Sequence, residues 1–474
     1  MTDLLFRPAH ELVSDMRSGK LTAVELMTAS LDRIDAVNAD LTAIVAQRSR
    51  DELLAEAEAA DRVPADRRGA LHGIPMAVKD LTDVKGLPTS KGSLTEPLTP
   101  KTADALLVSR MRKAGAIFTG KTNVPELGLG SHSYNEVYGT TVNPYDQSVS
   151  AGGSSGGAGV ALATGMQTIA DGSDMMGSLR NPAAWNNVYG FRPTFGLVPR
   201  EPLGEVYLNW ISTPGPMARS VKDIALLLSV QAGGSQSMPV SRAVPDMYEI
   251  AALDMSGKRI GWLGSWGGAI PFEQGILELT ELALKQFEAL GAEIVPLNPP
   301  FSREALWESW TGLRAFAHVG SDGHLLDDPE SAKLVKPAVR YEIETGRAFS
   351  VADIHRMSEI RSDWFRAAAA LFDRFDALIL PTTQTFPFAQ EIDFPKEING
   401  VTMDTYHRWM EVMVPASLIG LPSLSVPIGF GENGLPLGMQ IIGRFGEDRS
   451  VLEIGQAWHE ATDWPNARPP KIYS

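Results

Sequence analysis

Residues 148–192 read SVSAGGSSGGAGVALATGMQTIADGSDMMGSLRNPAAWNNVYGFR and contain two clusters of serine and glycine. The first cluster is GGSSGG at 152–157, and the second is GSDMMGS at 172–178. An apolar segment between them is long enough for one helix and one strand. Because glycine has no Cβ, backbone N–H groups and serine oxygens can crowd around one small group at such places. This pattern is typical of sites that carry out acyl chemistry.

Three further stretches accompany the two clusters: HGIPMAVKD at 72–80, TPGPMARSVKD at 213–223 and GLPSLSVPIG at 420–429. Together with GGSSGG at 152–157 and DMMGSLRNPA at 174–183, their order and spacing make the chain resemble the amidase signature family over nearly its whole length. The resemblance implies an α/β fold, the amidase-signature fold, in which a central mixed and twisted β-sheet is covered by helices on both faces. It also implies a hydrolase with a Ser–cisSer–Lys triad.

The family's catalytic roles can be placed on matching residues of this chain. The resemblance makes Ser178 the nucleophile, Ser154 the bridging serine after a cis peptide bond, and Lys79 the ultimate base. It implies an oxyanion hole built by successive N–H groups of Met175, Met176, Gly177 and Ser178. Supporting positions around the triad are matched by Ser155, Asp174 and Arg180. Arg180 and Asp174 could hold the loop as a pair, although an ordinary surface ion pair is the alternative and contributes only about 0–1 kcal/mol.

Met176 departs from the family pattern, which has glycine at this position. Glycine tolerates backbone angles that residues with a Cβ avoid, so methionine implies either strain or a loop that needs no positive φ. We predict the second, with the flexible Met175 or Met176 side chain packed against the substrate or the support of the loop.

Lys79 must lose its proton to act as a base, although a free lysine has a pKa of about 10.4. The apolar run at 73–78 predicts a buried strand that ends at Lys79. Burial disfavours the ammonium form and lowers the pKa of a lysine. Asp80 and Asp174 would oppose this shift if they lay close to the amine.

Composition excludes several classes of protein. The net charge is 42 − 57 = −15 with no run of basic residues, so no nucleic-acid partner is expected. The absence of cysteine excludes disulfides and a cysteine nucleophile. No histidine has the spacing of a metal motif such as HExxH, so no metal and no cofactor are expected. The sequence lacks a signal peptide and a long apolar run, which predicts a cytoplasmic protein without membrane contact.

Two motifs in the chain match the patterns of other folds. Residues 115–122, GAIFTGKT, satisfy the phosphate-loop pattern, but the sequence predicts a helix followed by a strand there, and Pro125 follows. Residues 152–156, GGSSG, satisfy the nucleophile-elbow pattern of α/β-hydrolases. The turn-like NPYDQSVSA before them lacks the apolar strand that this elbow requires.

Helical and strand patterns alternate along most of the chain, which predicts a layered α/β sheet. Amphipathic helices are expected at 9–38 and 50–61, and short apolar strands between later helical segments. We expect one amidase domain over residues 1–474. Within it, residues 1–65 would be peripheral helices, 72–223 the signature core, and 300–370 and 400–412 substrate-pocket regions.

Candidate substrate contacts rest on family position and on aromatic content. Gly128, His132 and Tyr134 lie where family members line the site. Aromatic side chains at helical spacing usually belong to the core, but the regions around 300–370 and 400–412 line the acyl pocket in relatives. The candidates there are Trp307, Trp310 and Trp409.

The leading hypothesis is an amidase, a hydrolase of non-peptide linear amide C–N bonds, acting with water on a small aryl or aliphatic amide. Esterase side activity and a homodimer are compatible with it. One alternative is the glutamine-hydrolysing component of a tRNA-dependent amidotransferase complex, which works with partner chains. Another is an inactive scaffold of the same fold, suggested by Met176.

Overall fold

The computed structural model describes residues 2–200, 205–208, 210–243 and 249–472. The strands in this part of the chain are β1 (Ile44–Val45), β2 (Pro75–Lys79), β3 (Ile117–Thr122), β4 (Tyr134–Asn135), β5 (Gly139–Thr140), β6 (Ile169–Asp174), β7 (Tyr189–Arg192), β8 (Thr213–Ala218), β9 (Arg259–Trp262), β10 (Glu293–Pro296), β11 (Ala377–Pro381), β12 (Glu397–Ile398), β13 (Val401–Thr402), β14 (Ser423–Phe430) and β15 (Pro436–Ile442).

The α-helices are α1 (Thr2–Phe6), α2 (Ala9–Ser18), α3 (Ala23–Leu41), α4 (Arg50–Asp61), α5 (Leu106–Lys113), α6 (Gly156–Ala163), α7 (Arg180–Trp185), α8 (Val221–Gln231), α9 (Ile276–Ala289), α10 (Arg303–Asp322), α11 (His324–Asp327), α12 (Pro329–Leu334), α13 (Pro337–Ala348), α14 (Val351–Leu371), α15 (Val414–Leu418), α16 (Asp448–Thr462) and α17 (Trp464–Ala467). Short 3-10 helices lie at Ala65–Arg67, Glu126–Gly128 and Arg408–Met413. None of the helices that are described is long and apolar enough to cross a bilayer.

The main sheet has eight strands in the order β10-β9-β11-β15-β14-β7-β8-β6. The pairs β10/β9 and β9/β11 are parallel and the others are antiparallel, so the sheet is mixed. Helix α7 packs against β14, β15 and β7, and α16 and α9 also contact β14. Every residue of β15 is buried, which requires cover on both faces of the sheet. These features confirm the predicted fold class.

A smaller sheet carries the strand that ends at Lys79. Its order is β1-β3-β2, with β2 parallel to β3. Side chains just before and within β6 accept hydrogen bonds from N–H groups of β2: Gln167 Oε1 from Ala77 at 2.8 Å, and Asp171 Oδ1 from Lys79 at 3.1 Å. These bonds place the end of β2 beside the strand that leads into the second serine cluster.

The serine- and glycine-rich stretch folds as one helix and one strand, as predicted. All eight residues of α6 are buried. A Cβ on Gly157 would lie 2.4 Å from the backbone of Ala43 and of Asn123, so the close approach of this helix to its neighbours requires glycine. The first serine cluster therefore sits deep in the molecule, at the start of a helix packed on both sheets.

Two sequence expectations need correction. The helical pattern at 9–38 is broken, because Gly19 ends α2 in the left-handed conformation and Thr22 caps α3 with a capping box. Strand β8 was not predicted, because proline removes a ladder donor and argues against an interior strand. It nevertheless pairs with both β6 and β7, with Pro214 opposite Ser173 and Pro216 opposite Asp171.

Candidate active site

Lys79 is fully buried at the end of β2, and its amine faces serine oxygens. Nζ lies 2.9 Å from Ser154 Oγ and 2.7 Å from Ser155 Oγ. It also lies 3.1 Å from Ser173 Oγ and 3.2 Å from the Ser173 carbonyl oxygen. An ammonium group has three hydrogens to donate, whereas a neutral amine can also accept one from a hydroxyl. The arrangement therefore suits an amine that exchanges protons with serine.

Burial lowers the pKa of Lys79 to about 7, and the charges of Asp171 and Asp174 oppose that shift. Asp80, the other carboxylate next to Lys79 in sequence, faces another lysine: its Oδ1 lies 3.5 Å from Lys121 Nζ. The amine of Lys79 can therefore be neutral at an ordinary working pH, as the role of a base requires.

The two serine clusters meet through their backbones. The peptide bond between Gly153 and Ser154 is cis, as the family resemblance implies. Ser155, which directly precedes α6, donates its N–H to the carbonyl oxygen of Ser178 at 3.2 Å. Ser154 and Ser178 line the same cavity, so the proposed bridging serine and nucleophile face one space.

Asp174 organises the loop that carries Ser178. Its carboxylate accepts hydrogen bonds from the N–H of Gly177 at 2.9 Å and of Leu179 at 3.2 Å. The N–H of Gly177 is therefore engaged by Asp174, which corrects the predicted oxyanion hole at that residue. The N–H groups of Met175, Met176 and Ser178 remain candidates.

Asp174 and Arg180 form a buried ion pair that includes a third member, Arg192. Arg180 donates Nε to Oδ2 and Nη2 to Oδ1 of Asp174, both at 3.0 Å, and Arg192 Nη1 lies 3.0 Å from Oδ1. Burial alone would raise the pKa of Asp174, but the two guanidinium groups hold it well below its usual range. All three side chains are fully buried, so the surface-pair alternative is wrong.

Arg180 connects this loop to the main sheet. Its Nη1 donates to Gln440 Oε1 and its Nη2 to Ser417 Oγ, both at 2.6 Å. Gln440 lies in β15, so the loop that holds Ser178 is tied to the centre of the fold.

Met176 adopts no positive φ, whereas Gly177 does, at +87°. A Cβ on Gly177 would also lie 2.6 Å from Met413 Cγ. The requirement for glycine therefore falls on residue 177, and methionine at 176 introduces no left-handed strain, as predicted.

Both methionine side chains are held by helix α10. Trp310 donates its indole N–H to Met176 Sδ at 3.2 Å, and Arg314 donates Nη1 to Met175 Sδ at 2.7 Å. Sulfur is a weak acceptor, so these contacts act mainly by packing and by fixing rotamers. The expectation that one of the methionines packs against the support of the loop holds for both of them.

A cavity of about 80 Å³ opens beside Ser178. Ser154, Ser173 and Ser178 line it together with Met175 and Met176, and its outer wall includes Arg314, His318 and Met410. Residues from the 300–370 and 400–412 regions thus reach the candidate site. Gly128 also lines the cavity, and a Cβ there would lie 3.6 Å from Ser154 Oγ.

The aromatic candidates are not among the described residues that line this cavity. His132 contacts Ser150 Oγ at 2.8 Å through Nδ1 and the Gln390 carbonyl at 2.9 Å through Nε2. Tyr134 donates to Asp393 at 2.9 Å. Both side chains tie neighbouring segments together, so their contact with substrate stays a prediction.

The tryptophans behave mainly as packing residues. Trp409 stacks on Trp185 with ring centroids 5.7 Å apart, and Trp307 packs edge-on against His407 at 5.1 Å. Trp310 is fully buried and reaches the site only through its bond to Met176. Of the three candidates, Trp310 is thus the one linked to the catalytic loop.

Arg314 was missed by sequence reasoning. It is buried, donates Nε to Glu342 Oε1 at 2.8 Å and Nη2 to Tyr406 Oη at 2.9 Å, and reaches Met175. Tyr406 in turn donates to Glu342 at 2.5 Å. An arginine in an amphipathic helix is ordinarily a surface residue, so the local sequence carried no signal for this buried network.

Comparison with known proteins places this geometry in a family. The sequence profile of the family described as "Amidase" matches residues 25–452. The chain is 34% identical over 471 residues to the acylamidase of Rhodococcus erythropolis, covering 97% of this chain and 96% of that protein. It is also 32% identical over 488 residues to the A-type component of the glutamyl-tRNA(Gln) amidotransferase of a Cyanothece species, covering 97% and 98%.

The fold comparison agrees with the sequence comparison. The crystal structure of a bacterial aryl acylamidase of the amidase signature enzymes superimposes with a TM-score of 0.90 at 30% identity, covering 98% of this chain and 99% of that one. The chain therefore belongs to the amidase signature family. It is an amide-hydrolysing enzyme of that family.

Proposed function

We propose that this enzyme cleaves a carboxamide C–N bond through an acyl-enzyme on Ser178, with Ser154 and Lys79 as its proton relay. The observation that carries the proposal is the buried amine of Lys79, which lies 2.9 Å from Ser154 Oγ, with Ser178 on the same cavity. Among the described residues no carboxylate bonds to this amine to hold its proton, and its environment lets it be neutral near pH 7.

In the first half-reaction, neutral Lys79 takes the proton of Ser154, and Ser154 takes that of Ser178 as its Oγ attacks the carbonyl carbon. Negative charge develops on the substrate oxygen, where the N–H groups of Met175, Met176 and Ser178 can stabilise it. The tetrahedral intermediate collapses when Ser154 delivers its proton to the leaving nitrogen and regains one from Lys79. The C–N bond breaks, and an ester of Ser178 remains.

Water then attacks the ester through the same relay. Lys79 takes a proton from Ser154, Ser154 takes one from the water, and the hydroxide adds to the acyl carbon. Return of the proton through Ser154 to Ser178 Oγ releases the acid. Because an ester is intrinsically more reactive than an amide, esterase side activity is part of the proposal.

The proposed substrate is a small amide with an aryl or aliphatic acyl group. Leu81, Leu127, Met175, Met176 and Met410 supply apolar wall around the reacting centre. The similarity to the Rhodococcus acylamidase and to the aryl acylamidase structure supports this substrate class.

A second candidate is the glutaminase component of a tRNA-dependent amidotransferase, because relatives of that kind match at 32% identity over nearly the whole chain. The two functions differ in what the purified chain does alone. Hydrolysis of simple anilides and aliphatic amides by the isolated protein favours the first. Glutamine hydrolysis that appears only on addition of partner chains favours the second.

The nucleophile is tested by labelling with a fluorophosphonate probe and by Ser178→Ala. We expect the probe to modify Ser178, and we expect the variant to fold but to lose labelling and nearly all activity. Binding and an oxyanion hole alone can leave a residual rate, so up to about a thousandth of wild-type activity is tolerated. A higher residual activity, or labelling at another serine, would contradict the assignment. Absence of labelling in folded wild-type protein would favour the inactive scaffold.

Met176→Gly tests the departure from the family pattern. Because Met176 adopts no positive φ and its side chain packs on Trp310, we expect the variant to stay active, with kcat/KM changed by less than about tenfold and unequally among acyl groups. Parallel assays on aryl and short aliphatic amides measure this change. A uniform rise in activity on every substrate would instead show that methionine impairs the oxyanion hole.

A further inference from the structure

Asp171 is a buried carboxylate that the proposed relay does not use. It lies in β6, and its side chain is 1% exposed. Successive side chains of a strand alternate between faces, so Asp171 and Ser173 project to the same side. Ser173 meets the amine of Lys79, and Asp171 meets the backbone of the same residue. Strand β6 therefore holds Lys79 at two points.

One oxygen of Asp171 is used and the other is not. Oδ1 accepts the N–H of Lys79 at 3.1 Å, whereas Oδ2 is buried without a hydrogen-bond partner among the described residues. A neutral acceptor would satisfy the Lys79 N–H equally well, as Gln167 does for Ala77. Burying a carboxylate with a free oxygen is costly, which suggests that its charge has a use.

We propose that Asp171 is a positioning residue for Lys79: it holds the backbone at the base and places a negative charge where the ammonium ion forms during the reaction. This inference rests on the proposed function, in which Lys79 accepts a proton in each half-reaction. A fixed anion in a buried site stabilises a cation that develops beside it more strongly than water would.

The charged groups around Asp171 are consistent with this role. Burial raises the pKa of Asp171 to about 6, while the Lys79 N–H and the charges of Lys121 and Lys79 oppose the rise. Asp171 is in turn the largest influence that opposes the burial shift of the Lys79 pKa. Each group therefore favours the charged form of the other.

Other titratable groups near this pair are already engaged. Lys121 in β3 contacts Asp80, and Asp174 at the end of β6 is held by two arginines. Strand β8 and helix α6, which also pack on β6, contain no titratable residue. In α8, Lys222 is exposed and Asp223 binds the N-terminus of α2; the charged residues of α3, which packs on β2, are exposed or half-buried: Glu25, Asp32, Arg33, Asp35 and Asp40.

Asp171→Asn separates the charge from the hydrogen bond, because asparagine keeps an oxygen for the Lys79 N–H. Loss of the charge should lower the plateau of kcat/KM about tenfold and move the midpoint of the ascending limb about one pH unit lower, since Lys79 then binds its proton less tightly. Asp171→Leu, which also removes the acceptor, should lose more activity at every pH. A purely structural role would lower activity or stability without moving the limb.

The rate of fluorophosphonate labelling as a function of pH serves as the readout, because it reports acylation even in slow variants. An unmoved midpoint in folded Asp171→Asn would overturn the proposal. Lys79→Ala separates this failure from failure of the proposed function. If Lys79→Ala keeps the ascending limb, Lys79 is not the base; if it loses the limb and Asp171→Asn does not move it, only the role of Asp171 is wrong.

A measurement on the unmodified protein covers the case in which Asp171→Asn does not fold. Carbon-13 labelling of aspartate carboxyl groups should show one carboxyl that titrates well above ordinary aspartate and responds again at the pH of the ascending limb. If no carboxyl responds at that pH, the buried charge does not interact with the base and the proposal fails.

Discussion

Two lysines lie buried side by side on neighbouring strands, and they have different surroundings. Lys79 ends β2, Lys121 lies in β3 opposite Val78, and both side chains are fully buried. The amine of Lys79 meets three serine hydroxyls and a carbonyl. The amine of Lys121 meets the Asp80 carboxylate at 3.5 Å, Thr89 Oγ1 at 3.2 Å and the Thr82 carbonyl.

Burial lowers the pKa of both lysines, but their neighbours separate their roles. Lys121 has a directly facing carboxylate and two other acceptors, an arrangement that uses all three hydrogens of an ammonium ion. Lys79 has partners that can donate as well as accept, which a neutral amine needs. We infer that burial makes a lysine available as a base only where no carboxylate contacts its amine.

The largest expected effect that distinguishes the two lysines is on the rate. Lys79→Ala should reduce kcat by about a thousandfold or more, because it removes the terminal member of a relay whose parts act as a unit. Circular dichroism and Tm should show a folded protein. Adding Ser178→Ala to Lys79→Ala should cost little more, and a fully additive loss in the double variant would break the relay.

Lys121→Met should affect stability rather than chemistry. Removal of one partner of a buried ion pair leaves Asp80 uncompensated and should cost about 3–5 kcal/mol of unfolding free energy. Activity per site, counted by fluorophosphonate titration, should stay within about tenfold of wild type. The matched control is the double variant Lys121→Met/Asp80→Asn, which should recover part of the stability. A specific loss of kcat in Lys121→Met would give Lys121 a catalytic part and break the comparison.

The pH dependence of stability should also separate the two lysines. Lys79 has a pKa of about 7 when folded, against about 10.4 when unfolded, so between these values only the unfolded chain holds the proton and stability rises with pH. Below pH 7 both states are protonated and the folded state bears the full cost of a buried ammonium. Tm of Lys79→Met relative to wild type should therefore increase as the pH falls from 10 to 7.

Thermal unfolding monitored at several pH values measures this difference. Lys121→Met is the comparison variant, since removal of an ion-paired ammonium should lower Tm at pH 7 instead of raising it relative to pH 10. The same sign of change for both variants would mean that the two lysines share one protonation behaviour.

Local sequence was sufficient for much of the fold and for the triad positions. The apolar run before Lys79 predicts a buried strand, and the segment between the serine clusters predicts one helix and one strand, as found. The phosphate-loop pattern fails because its order is helix then strand, and Gly120 and Lys121 lie inside β3. Strand β8 was missed because its two prolines argue locally against pairing that tertiary contacts nevertheless enforce.

The site was predictable to the extent that it is local in the chain. Asp174, Gly177, Ser178 and Arg180 lie within seven consecutive positions, and their mutual contacts follow from one loop. Contacts from distant elements carried no such signal. Arg314 is 139 residues from Met175, and its buried position depends on Glu342 and Tyr406 from other segments.

The sequence by itself determined which residues could carry the chemistry, because periodic apolar runs, glycine-rich loops and the order of motifs act over a few neighbouring residues. It also indicated that residue 176 could have a Cβ. Tertiary structure alone decided that the Gly177 N–H is held by Asp174, that Arg192 joins the ion pair, and that Lys79 meets serines while Lys121 meets a carboxylate. The charge state of a buried amine depends on what faces it across the fold, and those neighbours come from distant parts of the chain.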